Sequence, residues 1–229
     1  MKKSIVVLTG AGVSAESGLK TFRDADGLWE GHDVMKVASI QGWRNNMELV
    51  LDFYNQRRRQ LLEAKPNEAH FALAELEKDY NVTIITQNVD DLHERAGSKN
   101  VIHLHGELLK ARSSFDEDLV FDWTKDINIG DFCEHNHQIR PHIVWFGEAV
   151  PLIDAAIEEV SKADIIMIVG TSMQVYPAAG LLNYKKSKIP VYFIDPKPTM
   201  SNKIMTGLEI IAEKATVGVP IAVSLLSRT

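Results

Sequence analysis

The sequence predicts an α/β protein in which a doubly wound parallel sheet carries a smaller module built from two insertions. Two observations predict the sheet. The apolar, β-branched runs at residues 5–9, 82–86, 165–169 and 191–194 are continuous rather than alternating, as strands buried on both faces require. Between them lie segments whose apolar residues recur at helical spacing. A third observation predicts the module, because residues 31–65 and 107–141 break that alternation. The sheet part then takes residues 1–30, 66–106 and 142–229 of a single 229-residue domain.

The first strand, residues 5–9, ends directly on Gly10. In 31–65 the residues Met47, Val50, Leu51, Tyr54, Leu61 and Leu62 fall near helical spacing. Residues 67–79 carry an apolar stripe of Ala69, Phe71, Leu73 and Leu76, with Pro66 near the helix start. Residues 107–141 have weak periodicity, mixed charge and scattered aromatics. Ile153, Ala156, Ile157 and Val160 form the stripe of a helix over 152–163, and Ile210-Ile211 supplies one more short strand.

The net charge is −6, from 25 Lys and Arg against 31 Asp and Glu. That balance argues against a nucleic-acid binder and is compatible with a cationic protein tail. Cys133 is the only cysteine, which excludes an intramolecular disulfide and a four-cysteine zinc site. The apolar run at residues 5–8 is too short for a secretory segment, and no stretch approaches the roughly 18 apolar residues of a membrane span. A cytoplasmic protein without membrane attachment is expected.

Gly10-Ala11-Gly12-Val13-Ser14-Ala15-Glu16-Ser17-Gly18 follows the first strand. Glycines there let backbone approach a pyrophosphate, and a following helix N-terminus would offer free N–H groups. Ala15 stands where a third glycine of the dinucleotide fingerprint belongs, and a tight strand-to-helix turn is the plainer alternative. Arg23, just beyond, is either an anion clamp or a surface residue. Gln87, Asn88 and Asp90 follow the second strand, at the edge where open α/β sheets bind ligands, and suit ribose hydroxyls and a carboxamide. An Asx turn capping the next helix is the alternative. His103 and His105 come next, and spacing alone does not separate their roles.

Taken together, these pieces resemble the sirtuins, the NAD-dependent protein lysine deacylases. The resemblance rests on residues 10–18, Phe22-Arg23, Thr86-Gln87-Asn88-Val89-Asp90 and His105-Gly106. It continues with Arg140-Pro141-His142-Ile143-Val144-Trp145-Phe146-Gly147-Glu148 and Gly170-Thr171-Ser172, in the family's order and spacing over nearly the whole chain. It implies a Rossmann-like NAD domain with substrate entering between that domain and the module. Gly10, Ala11, Gly12, Ala15, Glu16, Phe22, Arg23, Gln87, Asn88 and Asp90 would line the cofactor site, with Asn88 and Asp90 near the nicotinamide. Gly170, Thr171, Ser172 and Asp195 would hold the adenosine side, although asparagine is commoner than Asp195 in this family. His105 would be the catalytic base, acting with Asn88 and Asp90. Val144, Trp145, Phe146 and Gly147 would pair with the substrate backbone and wall an acyl-lysine tunnel.

Tyr54 and Arg57, at i and i+3 of one helix, resemble the Tyr-x-x-Arg pair of class III sirtuins, which favour succinyl, malonyl or glutaryl lysine. Ala25 fits the same subgroup by leaving tunnel width. The chain departs from the family at the metal. Ser113 and Ser114 stand near the first expected cysteine pair and Cys133-Glu134-His135-Asn136-His137 near the second. Cys133, His135 and His137, with Asp116 or Glu117, would form an unusual ligand set. We expect no zinc, with Phe115, Leu119, Phe121, Trp123, Ile127 and Phe132 packing in its place. The partners expected are acylated lysines of proteins or peptides, not nucleic acid. The rival readings are a NAD-glycohydrolase or ADP-ribosyltransferase using the same pocket, and a non-enzymatic NAD-binding module.

Overall fold

The computed structural model describes residues 2–20, 28–29, 31–199 and 207–226. In chain order the strands are β1 (Ser4–Thr9), β2 (Leu28–Trp29), β3 (His32–Asp33), β4 (Asn81–Thr86), β5 (Val101–His103), β6 (Gly106–Ser113), β7 (Val120–Asp122), β8 (Ile139–Ile143), β9 (Ile165–Val169), β10 (Val191–Ile194) and β11 (Leu208–Ile211). The helices are α1 (Val34–Val37), α2 (Ile40–Asn45), α3 (Met47–Glu63), α4 (Glu68–Glu75), α5 (Leu92–Ala96), α6 (Ile153–Lys162) and α7 (Ala215–Leu226).

Six strands form one parallel sheet in the order β11-β10-β9-β1-β4-β5. The chain starts at the centre, winds outward through β4 and β5, returns, and winds the other way through β9, β10 and β11. The order therefore reverses between β1 and β9, and a crevice opens there at the carboxyl ends of the strands. The continuous apolar runs have the predicted cause. Ile5, Val7 and Met167 pack under α4 and α7, while Val6, Leu8, Ile166 and Phe193 pack under α6 and the 3-10 segment Ala178–Tyr184.

Helix α7 has no counterpart in the sequence reading. Its Pro220 and its nearly uniform apolar character hide the helical period. Packing against α4 and the sheet holds it, with Val219, Ala222 and Leu226 buried. Among the described residues no helix is long and apolar enough to cross a membrane.

The module is an antiparallel sheet in the order β7-β6-β8, packed against α3. Helix α3 starts where the Asn46 side chain accepts the Leu49 amide, and it buries Val50, Leu51, Phe53, Tyr54 and Leu61. Leu62, placed on that stripe by spacing, faces solvent. The Asn55 side chain pins the loop after β7 to α3, donating to the Ile127 carbonyl and accepting its amide, both at 2.9 Å.

The expected apolar replacement for a metal is only partly correct. Ile127 is buried, and Leu119, Phe121 and Trp123 pack against the module core. Phe115 and Phe132 are exposed, and Phe115 stacks flat on His137 with ring centroids 4.3 Å apart. Among the described residues no group of three or more His, Cys, Asp or Glu is placed to hold a metal ion. Cys133 is buried and its thiol instead meets Ser113 Oγ at 3.4 Å. The residues present do not fit a zinc site.

Candidate active site

The loops after β1 and β9 touch back to back at the sheet's reversal point. Gly12 donates its amide to the Gly170 carbonyl at 2.9 Å, and a Cβ on Gly12 would sit 2.6 Å from the Gly170 Cα. Gly170 has φ 61, the left-handed region that favours glycine. These glycines are thus required by each other, before any ligand is considered. The residues after Gly10 form two short 3-10 turns, Ala11–Val13 and Ala15–Ser17, and not the regular helix start that the sequence suggests. Gly18, at φ 89, ends the second turn before a longer helix can propagate.

Ser14 is the hub below this loop. Its hydroxyl donates to Asp90 Oδ2 at 3.0 Å and accepts from Asn88 Nδ2 at 3.2 Å. Ser14, Asn88 and Asp90 are all buried. Burial pushes the Asp90 carboxyl up to about 6, against the hydrogen bonds from the Leu92 amide and from Ser14. Sequence reasoning quoted Ser14 in the loop but gave it no role. The buried His70 and His93 rings, 4.9 Å apart beside this cluster, were likewise given no role. For His70 the signal was its place three residues after Asn67, where a helix capping box has its second member.

Gln87 bridges two parts of the crevice. Its side chain donates to Thr171 Oγ1 at 3.0 Å, and its carbonyl meets His105 Nδ1 at 2.9 Å. A carbonyl only accepts, so Nδ1 carries the ring proton and Nε2 keeps its lone pair. Burial holds the His105 pKa below the ordinary imidazole value, with the Gln87 bond opposing. His103 is different. Its Nε2 meets Glu94 at 2.6 Å, and although burial works against its charge, Glu94 raises its pKa. Gly106, at φ 82, turns the chain out of His105 so closely that a Cβ would lie 2.1 Å from the His142 carbonyl oxygen.

His105 is joined through its carbonyl to the Val144 amide at 2.9 Å. Beyond Val144, Phe146 pairs with Ala38 and Ile40 through its amide and carbonyl, so this segment lies beside the loop between α1 and α2. Phe146 is exposed, Gly147 turns at φ 91, and Trp145 is buried between Trp43 and Tyr54. The Arg140 guanidinium lies 3.5 Å from the centre of the Trp145 ring. Glu148 accepts from Arg140 and Arg112 and from the Trp145 amide at 2.8 Å. Arg57 lies over the Phe53 ring at 4.2 Å, on the helix that carries Tyr54.

The remaining predicted positions divide. Thr171 accepts from Gln87 and from the Met173 amide. Ser172 follows it at the crevice, and its carbonyl accepts from Thr199. Asp195 is buried at the end of β10, where it accepts the Lys197 amide at 2.9 Å in an Asx turn. Ala11 and Ala15 are half-buried on the Gly loop. The Glu16 carboxylate is engaged by the amide and hydroxyl of Thr216, at the start of α7. Phe22, Arg23 and Ala25 lie outside the described residues.

The sequence model of the Sir2 family matches residues 10–177. A protein of Helicobacter pylori named NAD-dependent protein deacylase is 64% identical over 195 residues, covering 85% of each chain. One of the same name from Aggregatibacter actinomycetemcomitans is 55% identical over 207 residues, covering 90% of this chain and 100% of that one. A solved Sir2 homologue in complex with ADP-ribose superposes with a TM-score of 0.90 at 40% identity, over 99% of this chain and 93% of that one. A Sir2 homologue–NAD complex gives 0.87 at 39% identity, over 99% and 90%. A Sir2 structure bound to acetylated peptide gives 0.82 at 30% identity, over 100% and 95%.

Proposed function

The chain belongs to the Sir2 family, and from that premise we propose that His105 is the general base of a lysine deacylation with a preference for acidic acyl groups. The protein is an NAD-dependent protein deacylase, as its relatives are named. NAD is a co-substrate in this reading: it supplies an electrophilic ribose carbon and nicotinamide as leaving group. Free lysine, nicotinamide and O-acyl-ADP-ribose are the products. The acyl-lysine carbonyl oxygen attacks that carbon as nicotinamide leaves, His105 Nε2 takes a proton from the ribose hydroxyl that attacks the acyl carbon, and one water is consumed as the C–N bond to lysine breaks and the amine departs.

The observation that carries this reading is the bond from His105 Nδ1 to the Gln87 carbonyl. It leaves Nε2 as a base, and burial keeps the ring neutral near pH 7. Asn88 and Asp90 fit a carboxamide, one offering an amide and the other a carboxylate acceptor. Gly10, Gly12 and Gly170 let the loops after β1 and β9 abut at the reversal point, the place where an open α/β sheet receives a pyrophosphate. Thr171, Ser172 and Asp195 are assigned to the adenosine side. Val144, Trp145, Phe146 and Gly147 are assigned to the substrate, since the His105–Val144 bond couples that segment to the base.

Tyr54 and Arg57 support the acidic acyl preference. Burial raises the Tyr54 pKa, so the phenol stays a neutral donor able to face a carboxylate, and Arg57 adds the positive charge. The test is nicotinamide release with NAD alone and with acetyl, succinyl, malonyl and long-chain acyl peptides. We expect release only with peptide, and fastest with succinyl or malonyl. Release without peptide would identify a glycohydrolase or ADP-ribosyltransferase, and none with any peptide a binding module.

A further inference from the structure

Two groups beside the Ser14 hydroxyl are able in principle to take its proton: Asp90 Oδ2 at 3.0 Å and His70 Nε2 at 3.4 Å. Which one receives it depends on where His70 carries its own proton. His70 belongs to the capping box of α4, and the Asn67 amide, which can only donate, points at His70 Nδ1 across 3.2 Å. Nδ1 is therefore the lone-pair nitrogen, and the proton of the neutral ring sits on Nε2. A protonated Nε2 does not accept, so one of the two routes is closed.

We propose that His70 is a positioning residue: the N-cap of α4 fixes its tautomer, and that tautomer aims the Ser14 hydroxyl at Asp90. The inference rests on the reading of Asn88 and Asp90 as the nicotinamide end of the site. His70 is fully buried, and its hydrogen-bond link to Asn88 and Asp90 runs through Ser14. Its Nε2–H and the Asn88 amide face the Ser14 lone pairs, which leaves the hydroxyl proton a single acceptor. In the other tautomer Ser14 turns its proton to His70. Asp90 then loses a donor that opposes the upward push of burial, and its protonated form is favoured. A protonated carboxyl is a poorer acceptor for a carboxamide. The neighbouring His93 does not compete, because its Nε2 meets Thr9 Oγ1 at 3.1 Å.

The tautomer is read directly on the native protein by long-range proton–nitrogen NMR of labelled histidine. We expect His70 protonated at Nε2, and protonation at Nδ1 overturns the proposal. Function is read with a matched pair of variants. In His70→Gln the amide oxygen replaces Nδ1 as cap acceptor and the NH2 still donates toward Ser14. In His70→Glu the cap acceptor is kept, but an acceptor faces Ser14 and competes with Asp90. Deacetylation kcat should be about tenfold or more lower for His70→Glu than for His70→Gln, the size of one hydrogen bond to a buried charge. In a Ser14→Ala background that ratio should vanish. A ratio that persists there marks a field effect and overturns the relay, as does an equal kcat for the two variants. Asp90→Asn separates the two levels. If it leaves turnover untouched, the nicotinamide-end reading falls and the relay with it. If it impairs turnover while the His70 pair stays equal, only the relay falls.

Discussion

The indole Nε1–H of Trp145 donates to the phenolic oxygen of Tyr54 across 2.9 Å, tying the segment after β8 to α3. With one lone pair so occupied, the rotation of the Tyr54 hydroxyl is restricted and its own proton is left for another acceptor. Trp145→Phe removes the donor and keeps a ring between Trp43 and Arg140. Desuccinylation kcat/KM should fall about three- to tenfold relative to deacetylation, the worth of one neutral hydrogen bond. Parallel loss of both activities would reduce the bond to packing.

In the proposed recognition of an acidic acyl group, Arg57 is the charged half. Replacement by Met keeps an apolar side chain over Phe53, where the guanidinium now lies 4.2 Å from the ring centre. We expect Arg57→Met to lower desuccinylation by about fiftyfold or more and deacetylation by less than about threefold. Steady-state kinetics on matched peptides make the comparison, and equal losses would refute the assignment.

The pH dependence has two parts. His105 is held below the ordinary value of 6.5, so the acid limb of kcat/KM should break below pH 6.5. Stability should also fall as the pH drops from 6.5. His70, lowered to about 4 by burial, and His93, held well below the ordinary imidazole value by burial, stay neutral in the folded chain while unfolded imidazoles protonate. Asp90, pushed up to about 6, works the other way, because the folded chain takes up that proton first. The raised pKa of His103 adds stability that is already complete below 6.5. His70 and His93 against Asp90 leave a net loss of about 2 kcal/mol between pH 6.5 and 5, and His105 and His142, also lowered by burial, act in the same direction. Thermal melts across that range check it, and a flat Tm would contradict it.

Glu148 joins the buried Arg112 and Arg140, whose side chains are 6% and 5% exposed. Glu148→Gln leaves two buried guanidinium groups without a counter-charge. The expected cost is about 3–5 kcal/mol of stability, read by denaturant unfolding. Trp145 also loses a charged acceptor for its amide, so KM for peptide should rise.

Chelation offers a simple check on the module. Dialysis of purified protein against a strong chelator should change neither Tm nor turnover, and elemental analysis should find no stoichiometric zinc. One zinc per chain would overturn the reading of residues 107–141.

The sheet was legible because β1, β4, β9 and β10 are buried on both faces, and such strands must be apolar throughout. His105 was legible only through the resemblance, since alternation put His103 on the same side. What separates them is the turn after β5, which gives one ring to Glu94 and the other to Gln87. Ser14 and His70 share a cluster across 56 residues of chain, and no periodicity reports a contact of that kind. Helix α7 was hidden because its stripe is filled in on every side. Phe115 and Phe132 were placed inside on apolarity alone, but nothing in the strand pattern of the module turns them inward.

The abutting glycines of the two crevice loops have an implication for engineering. Because neither loop tolerates a Cβ from the other, transplanting one of them into a different scaffold would fail unless its mate moved with it. The smallest portable unit is both turns together with the two central strands that present them.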